Sequence, residues 1–220
     1  KSSSFDSIVT NILFKVQPNS AISVIGPLKG VGKTTVSSGI AQNLAKLGKK
    51  TILLDCDFHR GDIHEQNTLK RTSISDFQEA YKNIETFRIS NNLYIIPRPK
   101  NSSDNALSFF SSANYRKLVE NLKKEFDYVV IDTPPCLPLS DALLIHNVTD
   151  YSCLVVRHGQ TLETEVIESF KQLNSVKSEN IGIILNAFKK PSTMYGYKKY
   201  DYYAYKYYYA KDAYSYEKNE

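Results

Sequence analysis

Ala21-Ile22-Ser23-Val24-Ile25-Gly26-Pro27-Leu28-Lys29-Gly30-Val31-Gly32-Lys33-Thr34-Thr35 decides the fold. The run 21–25 is apolar but for Ser23 and stops at Gly26-Pro27, as a buried strand stops at its turn. Val36, Ile40, Leu44 and Leu47 then recur at helical spacing, and Gly48 stands where a helix C-terminus takes a glycine. Between strand and helix lies Gly30-Val31-Gly32-Lys33-Thr34-Thr35. Glycines let backbone N–H groups turn inward around an anion, and the helix N-terminus adds partial positive charge. In that setting Lys33 reaches the outer phosphates of a nucleotide, and the Thr34 hydroxyl is placed to hold Mg²⁺. Six residues before Lys33 the common pattern has glycine; here it is Pro27, with Gly26 one place earlier.

Outward from this turn the same alternation repeats. Continuous apolar runs at 51–54, 93–96, 128–131, 151–156 and 181–185 read as buried strands. Helical spacing appears in Phe5, Ile8, Val9, Ile12 and Leu13, giving a helix over 4–15 that ends before Pro18. It appears again in Tyr115, Leu118, Val119 and Leu122, and in Leu162, Val166, Phe170 and Leu173. The segment 58–75 reads as loop and short helix, and 98–112 as a polar loop. Buried strands alternating with amphipathic helices predict an α/β fold, a mostly parallel sheet with helices on both faces. Ligands of such sheets sit beyond the C-terminal ends of the strands.

Two further strands end in carboxylates. One closes on Leu54-Asp55-Cys56-Asp57, the other on Ile131-Asp132-Thr133-Pro134-Pro135. A lone Asp at a strand end is commonly a turn or cap residue. Three converging on a phosphate loop suit Mg²⁺, which takes one or two carboxylates together with phosphate oxygens. They also supply a group to accept a proton from an attacking hydroxyl, and phosphoryl transfer needs little beyond such positioning and charge neutralisation.

Composition sets the limits. The 220 residues are 41% hydrophobic and 23% charged with net charge +5, which suits one packed domain and excludes wholesale disorder. Cys56, Cys136 and Cys153 are odd in number and lack metal-ligand spacing, so neither a disulfide framework nor a structural zinc is expected. His64 and His146 likewise lack ligand spacing. No apolar run reaches the roughly 18 residues of a membrane span. The chain begins at Lys1 and not Met, which reads as a piece of a longer chain; whether a membrane segment precedes Lys1 is not written in these residues.

Tyrosine divides the chain. Eleven of the 16 tyrosines are Tyr195, Tyr197, Tyr200, Tyr202, Tyr203, Tyr205, Tyr207, Tyr208, Tyr209, Tyr214 and Tyr216. The expected organisation is a nucleotide-binding domain over 1–194 and a flexible tyrosine-rich tail over 195–220, with Lys189, Lys190 and Pro191 as a hinge. The tail carries five lysines against four acidic residues, a near balance that speaks against a nucleic-acid partner.

With the loop at 26–35, Asp55-Cys56-Asp57, Ile131-Asp132-Thr133-Pro134-Pro135, Val155-Val156-Arg157-His158-Gly159-Gln160-Thr161 and the tail together, the chain resembles the catalytic domain of bacterial tyrosine kinases of the polysaccharide-export type. These are relatives of the deviant-Walker P-loop ATPases. The resemblance implies an ATP-dependent protein-tyrosine kinase acting on its own tail between subunits, with ATP and Mg²⁺ as cofactors. It implies a site of Lys33, Thr34, Asp55, Asp57 and Asp132, in which Thr34, Asp55 and Asp132 hold the metal. Gly30, Val31, Gly32, Lys33, Thr34 and Thr35 hold the nucleotide, and Asn186, at the end of the last strand, is placed to face its adenine. Also implied are a cytoplasmic location at the inner membrane face, an inner-membrane polysaccharide co-polymerase as partner and an opposing tyrosine phosphatase. An ATPase switch without kinase activity, or a nucleotide-sensing adaptor, is the alternative.

Three positions depart from the family. His59 stands where the family has Arg, and Arg60 follows it. Ser3, Asp6 and Val9 replace a Glu-x-x-Arg-x-x-Arg helix that helps assemble a ring. Leu28 fills the place of the second lysine of the partition ATPases, with Lys29 one step away. Arg157 reads as a strand-end salt bridge or a phosphate contact, the structural role being the favoured one.

Overall fold

The computed structural model describes residues 4–177 and 180–188, within a compact unit spanning Lys1–Phe188. Six strands form one sheet: β1 (Ser20–Ile25), β2 (Thr51–Asp55), β3 (Leu93–Ile96), β4 (Tyr128–Asp132), β5 (Tyr151–Arg157) and β6 (Ile181–Asn186). Their order is β3-β2-β4-β1-β5-β6, and all five pairings are parallel. β1 to β4 are buried at every residue, because helices cover both faces.

On one face lie α1 (Ser4–Lys15) and α2 (Lys33–Lys46). Val9 and Ile12, with Val36, Ile40 and Leu44, pack on Ile22, Val24, Leu53 and Val130. Gly39 of α2 lies directly under the Phe5 ring, leaving no room for a β-carbon. α2 ends as its sequence predicts: Gly48 has φ +80°, and the Lys49 amide donates to the Leu44 carbonyl at 3.1 Å.

The opposite face carries α4 (Ile74–Gln78), α5 (Ala106–Phe110), α6 (Ala113–Glu125), α7 (Asp141–Val148) and α8 (Glu163–Val176), while the short α3 (Ile63–Gln66) sets Ile63 into the cluster under α1 and α2. α6 buries Tyr115, Leu118, Val119 and Leu122, one stripe at i, i+3, i+4 and i+7, and the Ser112 hydroxyl accepts the Tyr115 amide at its start. Each such side chain contributes roughly 1.5–3 kcal/mol. The 98–112 segment, expected to be a polar loop, instead turns through a 3₁₀ stretch at Ser103–Asn105 into α5. Ala106, Phe109 and Phe110 there are core residues. Their apolar stretch is too short to show a period among the surrounding serines and asparagines. Residues 80–87 form a second 3₁₀ stretch. β6 departs from the expected buried run too: Ile183 and Leu185 are more than half exposed. Among the described residues no helix is long and apolar enough to cross a membrane.

Candidate active site

The parallel order brings the C-terminal ends of β1, β2 and β4 side by side. Asp55 and Asp132 are direct register partners on neighbouring strands, about 4.8 Å apart as parallel strands run. β1 leads into the glycine turn. Gly30 and Gly32 have φ of +81° and +97°, a backbone that favours glycine, and the helical N-terminus starts at Lys33. A cavity of about 810 Å³ opens there. Its lining includes Gly30, Gly32, Lys33, Thr34 and Thr35 on one side and Asp57, His59, Arg60 and Asp62 on the other. Leu28, Lys29, Pro135, Pro138, Leu139 and Arg157 complete it.

Beneath the cavity the charges crowd. The Thr34 hydroxyl donates to Asp132 Oδ2 at 2.7 Å, while Asp132 Oδ1 and both oxygens of Asp55 are buried with no well-formed hydrogen bond among the described residues. Burial is the main reason both carboxyls are hard to ionise. The Asp132 pKa is pushed up to about 7, with Asp57 adding to the rise and Thr34 and Lys33 opposing it. Asp55 goes well above the carboxylate range, and the charges of Asp132 and Asp57 push it further. Lys33 is 7% exposed; burial lowers its pKa while Asp132 and Asp57 oppose the fall. Its ammonium has one long contact, 3.4 Å to the Leu28 carbonyl. An under-partnered cation beside orphaned carboxylate oxygens and an inward glycine turn is the donor set a polyphosphate with a divalent cation completes. The residues present fit that pair.

The loop after β2 is held from behind. Phe58 is fully buried, its ring centroid 4.6 Å from that of Phe110 and 5.4 Å from those of Phe77 and Phe109. Arg98 donates to the carbonyls of Gly61 and Phe58 at 2.7 and 3.3 Å. The Arg60 amide donates to Asp57 Oδ1 at 2.9 Å. The phosphate loop is held in turn by donors from β5 and β6. Arg157 donates to the Gly30 carbonyl at 3.0 Å and Asn186 to the Val31 carbonyl at 2.8 Å. The Asn186 amide, expected at an adenine, therefore lies against the loop itself. Val31 is buried rather than lining the cavity.

Lys33, Thr34, Asp55, Asp57 and Asp132 are thus brought to one place, and Arg157 both holds the Gly30 carbonyl and lines the cavity. Arg98 and the pair His59–Asp141, whose facing atoms are 2.7 Å apart, are missing from the sequence reading. Arg98 directly follows β3, beside the end of β2, so strand order reveals it once known. Asp141 lies 82 residues from His59 and carries no local signal. The eleven tail tyrosines and the hinge at Lys189, Lys190 and Pro191 lie outside the described residues.

Over residues 20–183 the chain matches a family model described as an AAA domain. It is 30% identical over 199 residues to the tyrosine-protein kinase CpsD of Streptococcus agalactiae serotype III (strain NEM316), covering 87% of this chain and 84% of that one. The chain belongs to the bacterial tyrosine-kinase family. This kinase-family chain is also similar to the kinase domain of Escherichia coli tyrosine kinase ETK, with TM-score 0.72 and 27% identity over 87% of this chain and 76% of the other. A cobyrinic acid a,c-diamide synthase of Mycobacterium smegmatis with bound ADP and magnesium, 16% identical at TM-score 0.66 over 79% of this chain and 76% of that one, shares the fold alone. In the tyrosine-protein kinase ptk of Acinetobacter johnsonii, 29% identical, the match covers 80% of this chain but 25% of that longer one.

Proposed function

We propose that this kinase-family chain transfers phosphate from ATP to tyrosines of its own 195–216 cluster, in a neighbouring copy. The observation that carries this is the buried, partly unpartnered Lys33–Asp55–Asp132 set under a glycine turn, in a chain whose relatives are named tyrosine kinases. Bound there, Mg-ATP would supply the transferable phosphoryl group and the divalent charge that offsets it. The amides of residues 30–35 would hold its phosphates, and Lys33 would neutralise the outermost one. Thr34, its proton committed to Asp132, offers an oxygen lone pair to the cation. Asp132 Oδ1 and Asp55 offer the carboxylate oxygens that lack a well-formed hydrogen bond. Asp57 lines the cavity while Asp55 is fully buried, so Asp57 is the group placed to take the proton of an incoming tyrosine hydroxyl.

Each added phosphate brings about −1.5 to −2 charge, so multiple transfer turns a near-neutral tail strongly acidic. The resemblance to polysaccharide-export kinases supports a cytoplasmic role at the inner membrane face, regulating surface polysaccharide synthesis with a membrane co-polymerase and an opposing phosphatase. The longer relative, in which this domain is a quarter of the chain, supports a membrane part joined either covalently or as a separate partner.

The test is incubation with Mg-ATP and phosphate mapping by mass spectrometry. Phosphotyrosine at 195–216, absent in Lys33→Met, is expected. Release of free phosphate with an unmodified tail would indicate the ATPase switch instead, and nucleotide binding with neither product the adaptor.

A further inference from the structure

We propose that His59 and Asp141 form a positioning clasp that fixes the loop bearing Asp57 against the β4–α7 segment, holding that carboxylate across the cavity from Lys33 before any ligand arrives. The inference rests on the kinase reading for its activity readout, not for its geometry. His59 Nε2 lies 2.7 Å from Asp141 Oδ2, and the two side chains are 31% and 7% exposed. Asp141 is the first residue of α7, where partial positive charge favours a carboxylate. A carboxylate oxygen only accepts, so Nε2 carries the proton of this bond. The imidazole is thereby fixed in orientation, and it lines the cavity two residues from Asp57.

The contacts of the loop make this bond distinctive. Behind the loop, Phe58 is packed in the aromatic core, and Arg98 and Ser102 donate to the loop carbonyls. All of these pull toward β3 and the core. Toward α7, His59–Asp141 is the one side-chain hydrogen bond from residues 56–62 among the described residues. The segment it reaches is itself tied to the phosphate loop: the Cys136 and Leu137 amides donate to the carbonyls of Gly26 and Pro27 at 3.0 and 3.2 Å. A continuous route therefore joins Asp57 to Lys33 through His59, Asp141 and the 133–141 turn. Misplacement of a reacting group by about 1 Å costs on the order of 10²-fold in rate. His59 does not touch the reacting atoms in this scheme; it acts through Asp57.

The full-length chain is compared with His59→Ala, Asp141→Asn, the double variant and His59→Arg, in which a guanidinium can still donate to Asp141. The readouts are kcat and KM for autophosphorylation, affinity for a fluorescent Mg-ADP analogue, and hydrogen exchange of amides 56–62. A clasp predicts kcat down roughly 10–100-fold in either single variant, nucleotide affinity within about twofold, and a double variant no slower than the worse single one. His59→Arg recovers most of the rate. Exchange at 56–62 quickens in both single variants alike. Additive losses, a fall in nucleotide affinity with kcat unchanged, or failure of His59→Arg to recover would overturn the clasp. Should Asp141→Asn fail to fold, His59→Ala and His59→Arg decide by the same criteria. If the unmodified chain makes no phosphotyrosine, it is the kinase reading that fails. The clasp is then judged by exchange alone, which stands still in His59→Ala if it does not exist.

Discussion

At the scale of the residue, Gly32 shows how little freedom the site has. Its φ of +97° strains any side chain, and a β-carbon there would run into the Asn186 amide. Gly32→Ala should therefore abolish Mg-nucleotide binding while leaving the fold intact, measured by calorimetry beside circular dichroism; binding within threefold of the parent would refute the cradle geometry. His146 lies away from the site. Its Nε2–H donates to the Leu173 and Lys177 carbonyls at 3.1 and 3.2 Å, so Nδ1 accepts from the Ser152 hydroxyl at 2.7 Å. Burial lowers its pKa, so the unfolded chain takes the proton more readily than the folded one. The stabilisation from a neutral His146 is full above the ordinary imidazole value of about 6.5 and drains as pH falls below it. Asp55 and Asp132, both raised, act in the opposite direction over the acid range. The readout is accordingly the difference in melting temperature between the parent and His146→Gln, which should narrow from pH 7 to pH 5. A difference constant across that range would contradict the buried neutral imidazole.

At the scale of the element, α1 rests on α2 through the Phe5 ring over Gly39. Gly39→Ala should destabilise by about 1–3 kcal/mol through overpacking, and Phe5→Ala in the same chain should return part of the loss; thermal melts of the two variants check this. What the sequence revealed follows the same logic of contact range. β1 to β5 and α1, α2 and α6 were legible because their burial is periodic or continuous over a full element; α8 forms where Leu162, Val166, Phe170 and Leu173 place it, but Leu162 and Phe170 are exposed and only Ser169 and Leu173 are fully buried. α5 was hidden because Phe109 and Phe110 are core residues set among serines. α7 was not foreseen, its apolar residues facing two clusters at once. β6 reads as buried from Ile181, Ile183, Ile184 and Leu185, yet Ile183 and Leu185 are more than half exposed, while β3 at the other edge of the described sheet is buried throughout. Strand composition does not show which of two edges the flanking helices cover.

For the whole molecule, strand order turns three distant motifs into one site. The sequence shows that Lys33 opens the helix after β1 and that Asp55 and Asp132 end strands, and only the parallel register sets Asp55 opposite Asp132. The contacts of Arg98, Arg157 and His59 depend on approaches between segments 37 to 127 residues apart, which no local pattern encodes. The account as a whole requires catalysis and acceptor to be separable between copies. Two full-length chains decide it: one with all eleven tail tyrosines replaced by phenylalanine, the other Lys33→Met. Neither should become labelled alone with γ-phosphate-labelled ATP and Mg²⁺. Mixed, the Lys33→Met chain should gain phosphotyrosine within 195–216; labelled phosphate released to solution, with that chain unmodified, would contradict the account.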